Sequence, residues 1–133
     1  MKSLLPALGI VLALGGCAAD GSETGTTADQ EAFAREIAGL TASEPQSCIP
    51  VEQSESLSVV DRRTVVRRSG RTIWVNRLRA DCPGLRPLST VVVEVHGGQY
   101  CRNDRIRGLD PGTTIPGPQC PLGDWVAYRR TDD

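Results

Sequence analysis

The spacing of hydrophobic and polar positions changes twice along the 133-residue chain. From Leu4 to Leu14 there is no alternation: eleven residues run apolar, interrupted only by Pro6 and Gly9. After a polar stretch, Phe33, Ile37 and Leu40 recur at i, i+4 and i+7 with Ala34 and Ala38 beside them, the period of an amphipathic helix. Thr27-Ala28-Asp29-Gln30 has the form of a capping box, with Thr27 as N-cap and Gln30 at N3, and Gly39 helps to end the helix. A short helix is therefore predicted over roughly residues 28–39. Its apolar stripe can pack on the rest of the domain or meet a partner or lipid surface, and the acidic opposite face disfavours anionic lipid.

From Cys48 onward the period is two. Ser56 to Val60 reads as a strand, and Thr64–Arg68 with Thr72–Arg77 flank Ser69-Gly70-Arg71, a three-residue turn, as a hairpin. Val91 to Val95 is β-branched nearly throughout, and His96-Gly97-Gly98 turns it into Gln99–Arg102. Asp110-Pro111-Gly112 and Pro116-Gly117-Pro118 signal loops, and Trp125–Arg129 reads as a last strand. The fold class expected is mainly β: a small antiparallel, barrel-like domain of five to six short strands behind one amphipathic helix. The expected core is Val59, Val66, Ile73, Val75, Val91, Val93, Val95, Ile106, Trp125 and Ala127. No internal repeat is evident.

The N-terminal apolar run is too short to span a bilayer and follows Met1-Lys2-Ser3, a cationic start, which is the pattern of an export signal. It ends in Leu14-Gly15-Gly16-Cys17, the form of a bacterial lipobox, in which the thiol takes the lipid and cleavage leaves Cys17 as the first residue. The alternative is an ordinary secretory signal cut near Ala19. Ala18 and Ala19 follow Cys17, with Asp20 only later, which leans toward the inner leaflet of the outer membrane, facing the periplasm. The organisation expected is a lipoprotein signal peptide over 1–16, lipidated Cys and flexible tether over 17–27, helix and linker over 28–47, and a stapled β domain over 48–130.

Cysteine count fits that address. With Cys17 assigned to lipid, Cys48, Cys82, Cys101 and Cys120 remain, an even number for an oxidising compartment. No C-x-x-C occurs, which removes a ribbon-type zinc site and a thioredoxin-like pair. Three pairings are open. Nesting one loop inside the other favours Cys82–Cys101 with Cys48–Cys120, each bridge contributing roughly 3–4 kcal/mol.

Composition adds limits. Aromatic residues are 4% of the chain, there is one histidine, and the formal net charge is −1, which argues against a nucleic-acid partner. Charge is uneven: residues 18–47 carry six acids and one Arg, whereas 48–130 carry thirteen Arg against eight acids. Arg62, Arg63, Arg67 and Arg68 form the densest basic patch and a possible partner surface, since Arg forks carboxylate and phosphate. Neighbours in a strand point to opposite faces, so the patch does not cluster by default.

Catalytic chemistry is thin. Glu94 and His96 at i, i+2 share one strand face, with Asp104 or Asp61 the only guesses for a third group, and an exposed strand end is the favoured reading of the pair. No nucleophile elbow, phosphate loop or H-E-x-x-H is present. Trp74 and Trp125 suit a binding platform or, more simply, a core. No metal or other cofactor is indicated.

Ile37-Ala38-Gly39-Leu40-Thr41-Ala42 and Ser47-Cys48-Ile49-Pro50, then Val60 to Thr64, Thr72 to Leu78, Cys82 to Pro87, Gly97 to Cys101 and Cys120 to Tyr128 occur in an order that resembles a family of small exported proteobacterial proteins of unknown function. The resemblance covers about residues 37–130, with Tyr100 standing where family members often carry Leu. It implies an exported, β-rich, cysteine-bearing domain and no activity.

The sequence thus leads to a lipid-anchored envelope protein. Its expected role is non-catalytic binding of an envelope protein or cell-wall component. The alternative is a small periplasmic enzyme inhibitor, by loose analogy with β-barrel lipoproteins that block lysozymes, using the Pro/Gly loop 109–118. An enzyme built on Glu94 and His96 is the least favoured.

Overall fold

A computed structural model describes residues 27–131. The expected signal peptide, the lipidation expected at Cys17 and the expected tether fall on residues up to 26 and lie outside the described residues. Helix α1 spans Thr27–Ile37. Among the described residues ten strands follow: β1 Thr41–Ala42, β2 Cys48–Pro50, β3 Ser58–Asp61, β4 Thr64–Ser69, β5 Thr72–Arg77, β6 Thr90–Glu94, β7 Gln99–Cys101, β8 Arg105–Leu109, β9 Cys120–Pro121 and β10 Trp125–Arg129. Among the described residues no helix is long and apolar enough to cross a membrane.

The mainly β architecture agrees with the pattern, but among the described residues the strands lie in three antiparallel sheets with no closed barrel. A five-stranded sheet runs β1-β10-β5-β4-β3, a second pairs β2 with β7, and a third runs β6-β8-β9. Closure needs ladders that continue from strand to strand. Here β1, β2, β7 and β9 are two or three residues long, and Pro50 and Pro121, having no N–H, end β2 and β9. The stretch after α1 is not a simple linker. Thr41 and Ala42 pair with Arg129 and Tyr128, and Gln46 bridges Trp125.

The turn between β4 and β5 has two residues rather than three, because Ser69 pairs with Thr72. Gly70 adopts φ +54° at its first central position, the place where a II′ hairpin turn calls for glycine.

The five-stranded sheet is covered on both faces, which is why Thr64 to Arg67 are buried without a break. One face carries Val60, Val66 and Val75, and α1 lays Phe33 on them, with Ile37, Ile73 and Tyr128 partly buried around. Gln30 donates to Asp61 at 2.8 Å, so its amide reaches across to β3. The other face carries Val65 and Trp125 and packs on Ile49, Leu57, Leu78, Leu85, Ile106 and Leu122, with Val59, Trp74, Val91 and Val93 at its margin. Of the expected core, Val95 is displaced: it lies past the end of β6 and is 40% exposed.

The disulfides are Cys48–Cys101 and Cys82–Cys120, interleaved, which corrects the nested pairing. The cause is strand pairing. Cys48 and Cys101 face each other across β2 and β7, with Cα atoms 4.0 Å apart. Ser47 C=O accepts from Arg102 N–H at 2.6 Å and Gly98 C=O from Val51 N–H at 2.9 Å. The cysteines therefore occupy a closely spaced, non-hydrogen-bonded pair. Cys120, on β9, then meets Cys82, which is fully buried.

Candidate functional site

The arginine patch is taken apart by the sheet. Arg67 points into the core and is 1% exposed, which removes it from the surface on which it was expected. Its Nη1 donates to the Pro50 carbonyl, and its Nε stands 3.7 Å from Glu55 Oε2, too long for a hydrogen bond. Arg68 points to the helix side and grips Glu36 through Nε and Nη2 at 2.5 and 2.6 Å. That bidentate bond is the main reason the Glu36 carboxyl sits below its usual range and the Arg68 guanidinium above its own, with partial burial opposing both shifts. Arg62 and Arg63 occupy the β3–β4 turn. They line a polar recess of about 460 Å³ together with Gln30, Asp61, Arg77 and Asp81. Its groups are largely committed to one another. Asp61 Oδ1 accepts from Arg63 N–H at 2.8 Å, and Arg63 Nη2 donates to the Arg79 carbonyl at 3.0 Å and sits near Asp81.

Glu94 and His96 have separate partners. Glu94 Oε1 accepts from Arg107 at 2.8 Å and from Gln119 at 2.6 Å. His96, 85% exposed, faces Asp104 with Nδ1 3.8 Å from Oδ1. The other Asp104 oxygen accepts from Cys101 N–H at 2.6 Å and so holds the turn after β7. Asp61 lies on a different sheet from either. Among the described residues no group of three His, Cys, Asp or Glu side chains is placed to hold a metal. Trp125 is fully buried and Trp74 packs at the core margin under the Arg129 guanidinium, so the two do not form an open platform.

A feature that pattern reading missed lies on the β6-β8-β9 sheet. The exposed large apolar side chains of the described residues are Leu88, Val92, Val95 and Ile115, and all four belong to this sheet or its loops. Val92 stands on the outer face of β6, while Val91 and Val93 turn inward. Leu88 is 88% exposed and Ile115 81%. Their loops, 83–89 and 109–118, are fastened together. Ser89 Oγ donates to Asp110 Oδ1 at 3.0 Å, Arg86 lies 3.6 Å from the same carboxylate, and Thr113 Oγ1 donates to the Asp110 carbonyl at 3.0 Å. Beneath them, a Cβ on Gly108 would lie 1.8 Å from the Gly84 carbonyl oxygen, so only glycine permits this approach of backbones.

Leu88 carries a second cost. Ser89 N–H closes a turn onto the Arg86 carbonyl at 3.0 Å, with Pro87 and Leu88 central and Leu88 at φ +72°. Proline at the first and left-handed backbone at the second central position describe a type II turn, where glycine is the usual second residue. A leucine there costs about 1–2 kcal/mol of backbone strain and returns no burial. The legible signal was Pro87-Leu88 in a turn-rich stretch, but its exposure depends on tertiary packing.

The chain matches no protein-family model, no curated protein and no solved structure.

Proposed function

We propose that this chain is a lipid-anchored envelope protein whose domain is a non-catalytic binding module. In this reading Cys17 holds it on the inner leaflet of the outer membrane, and the loops bearing Leu88 and Ile115 engage an envelope protein or cell-wall component. The observation that carries the reading is the concentration of exposed apolar side chains on one sheet, with Leu88 kept in a strained turn. Apolar side chains displayed on a braced scaffold are what a partner would desolvate, and bracing limits the ordering cost of binding. The lipobox-like Leu14–Cys17, the two disulfides and the resemblance of residues 37–130 to small exported proteobacterial proteins support the address. A tether of about ten residues gives the domain reach on the order of 15–20 Å from the membrane. The separate partners of Glu94 and His96 favour a non-catalytic role.

The test is Leu88→Gly. Glycine relieves the turn, so the fold gains about 1 kcal/mol in denaturant titration. Partner capture in cells falls at the same time. Gain of stability without loss of capture removes Leu88 from the interface.

Inhibition of a periplasmic enzyme is a second reading, favoured by Ile115 at 81% exposure in a loop stiffened by Pro111, Pro116 and Pro118. It predicts that the protein slows lysozyme and that Ile115→Ser abolishes the effect. Full lysozyme activity at saturating protein contradicts it.

A further inference from the structure

We propose that this chain is a substrate of a thiol–disulfide isomerase, which reshuffles consecutive cysteine pairs into the two interleaved bridges. In chain order the domain's cysteines are Cys48, Cys82, Cys101 and Cys120, and each bridge skips one. Cys48–Cys101 and Cys82–Cys120 have sequence separations of 53 and 38. The consecutive pairs Cys48–Cys82 and Cys101–Cys120 are 34 and 19 residues apart. Loop closure in an unfolded chain weakens as the −3/2 power of loop length, so the consecutive set is favoured over the interleaved one by about fivefold. By the same measure the interleaved set is the least favoured of the three pairings. Export N-terminus first adds to the bias, because Cys48 and Cys82 meet an oxidant before Cys101 and Cys120 do. That addition rests on the export proposed above, whereas the loop-length bias does not.

Tertiary structure alone selects the native set, through β2 meeting β7 and β9 bringing Cys120 to Cys82. Strands β2 and β7 have three residues each, and so small a domain depends on its bridges for stability. The unbridged chain therefore does not hold these contacts firmly enough to direct its own oxidation. Burial sets the order of repair. Cys82 and Cys120 are buried, whereas Cys48 and Cys101 are partly exposed. Cys82–Cys120 must close before the core packs, and Cys48 is the sulfur left within reach of an enzyme. An isomerase thiolate attacks Cys48 Sγ and releases the Cys82 thiolate. The Cys82 thiolate attacks Cys120 Sγ and releases the Cys101 thiolate. The Cys101 thiolate attacks Cys48 Sγ and releases the enzyme thiolate. Each exchange forms one S–S bond and breaks one, so no electrons are gained or lost and the enzyme is regenerated. The first two bridges are made by a disulfide oxidant, which takes two electrons for each.

The experiment uses the full chain with Cys17→Ala, which removes the fifth thiol as an internal nucleophile. The chain is reduced, unfolded and oxidised with stoichiometric diamide. Reduced protein disulfide isomerase is then added in catalytic amount, or the same enzyme with its active-site cysteines replaced by Ser. Samples are quenched with acid, alkylated and mapped by mass spectrometry. Oxidation should give Cys48–Cys82 with Cys101–Cys120 as the main set. Active isomerase should convert it to Cys48–Cys101 with Cys82–Cys120, and the inactive enzyme should not. An isomerase that keeps only its attacking cysteine should be captured as a mixed disulfide with Cys48. Any other main set after oxidation, or equal conversion by active and inactive enzyme, overturns the proposal. Because the chain is purified, the outcome does not depend on export, which cell fractionation decides separately.

Discussion

Replacing Phe33 with Ala asks whether α1 is part of the domain or an appendage held by one side chain. Phe33 is the one fully buried apolar side chain of the helix, 7% exposed against Val60, Val66 and Val75. Burial of a phenylalanine contributes about 3 kcal/mol, and truncation to alanine in a core costs about 3–5 kcal/mol. The smaller figure applies, because the helix can detach instead of leaving a cavity. An eleven-residue helix is marginal alone in water, so undocking and melting are one event. What remains to hold it is Ile37, the Gln30–Asp61 bond and the Glu36–Arg68 pair, each partly exposed. Native-state hydrogen exchange of the full chain with Cys17→Ala reads this directly. In Phe33→Ala, amides of residues 31–37 should lose protection by about 100-fold, the factor for about 3 kcal/mol, while β4, β5 and β10 keep theirs. Unchanged helix protection would refute the docking argument, and loss of protection across the sheet would show that α1 belongs to the global unfolding unit.

Peptide mapping without reductant should return Cys48–Cys101 and Cys82–Cys120; with sequence separations of 53 and 38, loss of either bridge costs about 4 kcal/mol in urea titrations. Glu36→Gln should destabilise by about 1 kcal/mol or less at pH 7, since Arg68 and Glu36 are 47% and 31% exposed. Because the folded Glu36 pKa is lowered from 4.5, that contribution is present above 4.5 and disappears as pH falls through the folded value, so denaturation midpoints of Glu36→Gln and the parent should converge once pH is below that folded value. Gly108→Ala forces a Cβ onto the Gly84 carbonyl and should cost more than about 3 kcal/mol by thermal unfolding, with the loops around Leu88 and Ile115 losing exchange protection first.

Elements with their own local signals were legible in the sequence. Helix α1, the β4–β5 hairpin, β6 and β10 each combine period with turn chemistry and fall within a few residues of the expected bounds. Strands β1, β2 and β9 are too short to show a period, and β8 contains Gly108, which reads as a break yet serves a close backbone approach. The disulfide pairing depends on β2 meeting β7, a contact that no local pattern encodes. Strand parity correctly separates Arg67 from Arg68. It does not say that both faces of β4 are covered, and that coverage decides that Arg67 is buried. The apolar loops escaped notice for the same reason, since exposure of Leu88 and Ile115 is a property of the assembled fold.

The most direct test of the binding reading is site-specific photo-crosslinking in cells with the full chain, its Cys17 intact. The photoreactive residue is placed at Ile115, with a control at Glu31 on the exposed side of α1. The account predicts one discrete adduct from position 115, absent from position 31 and reduced when Leu88→Gly is added. No adduct at 115, or the same adduct from both positions, would contradict a binding face on the loops of the β6-β8-β9 sheet.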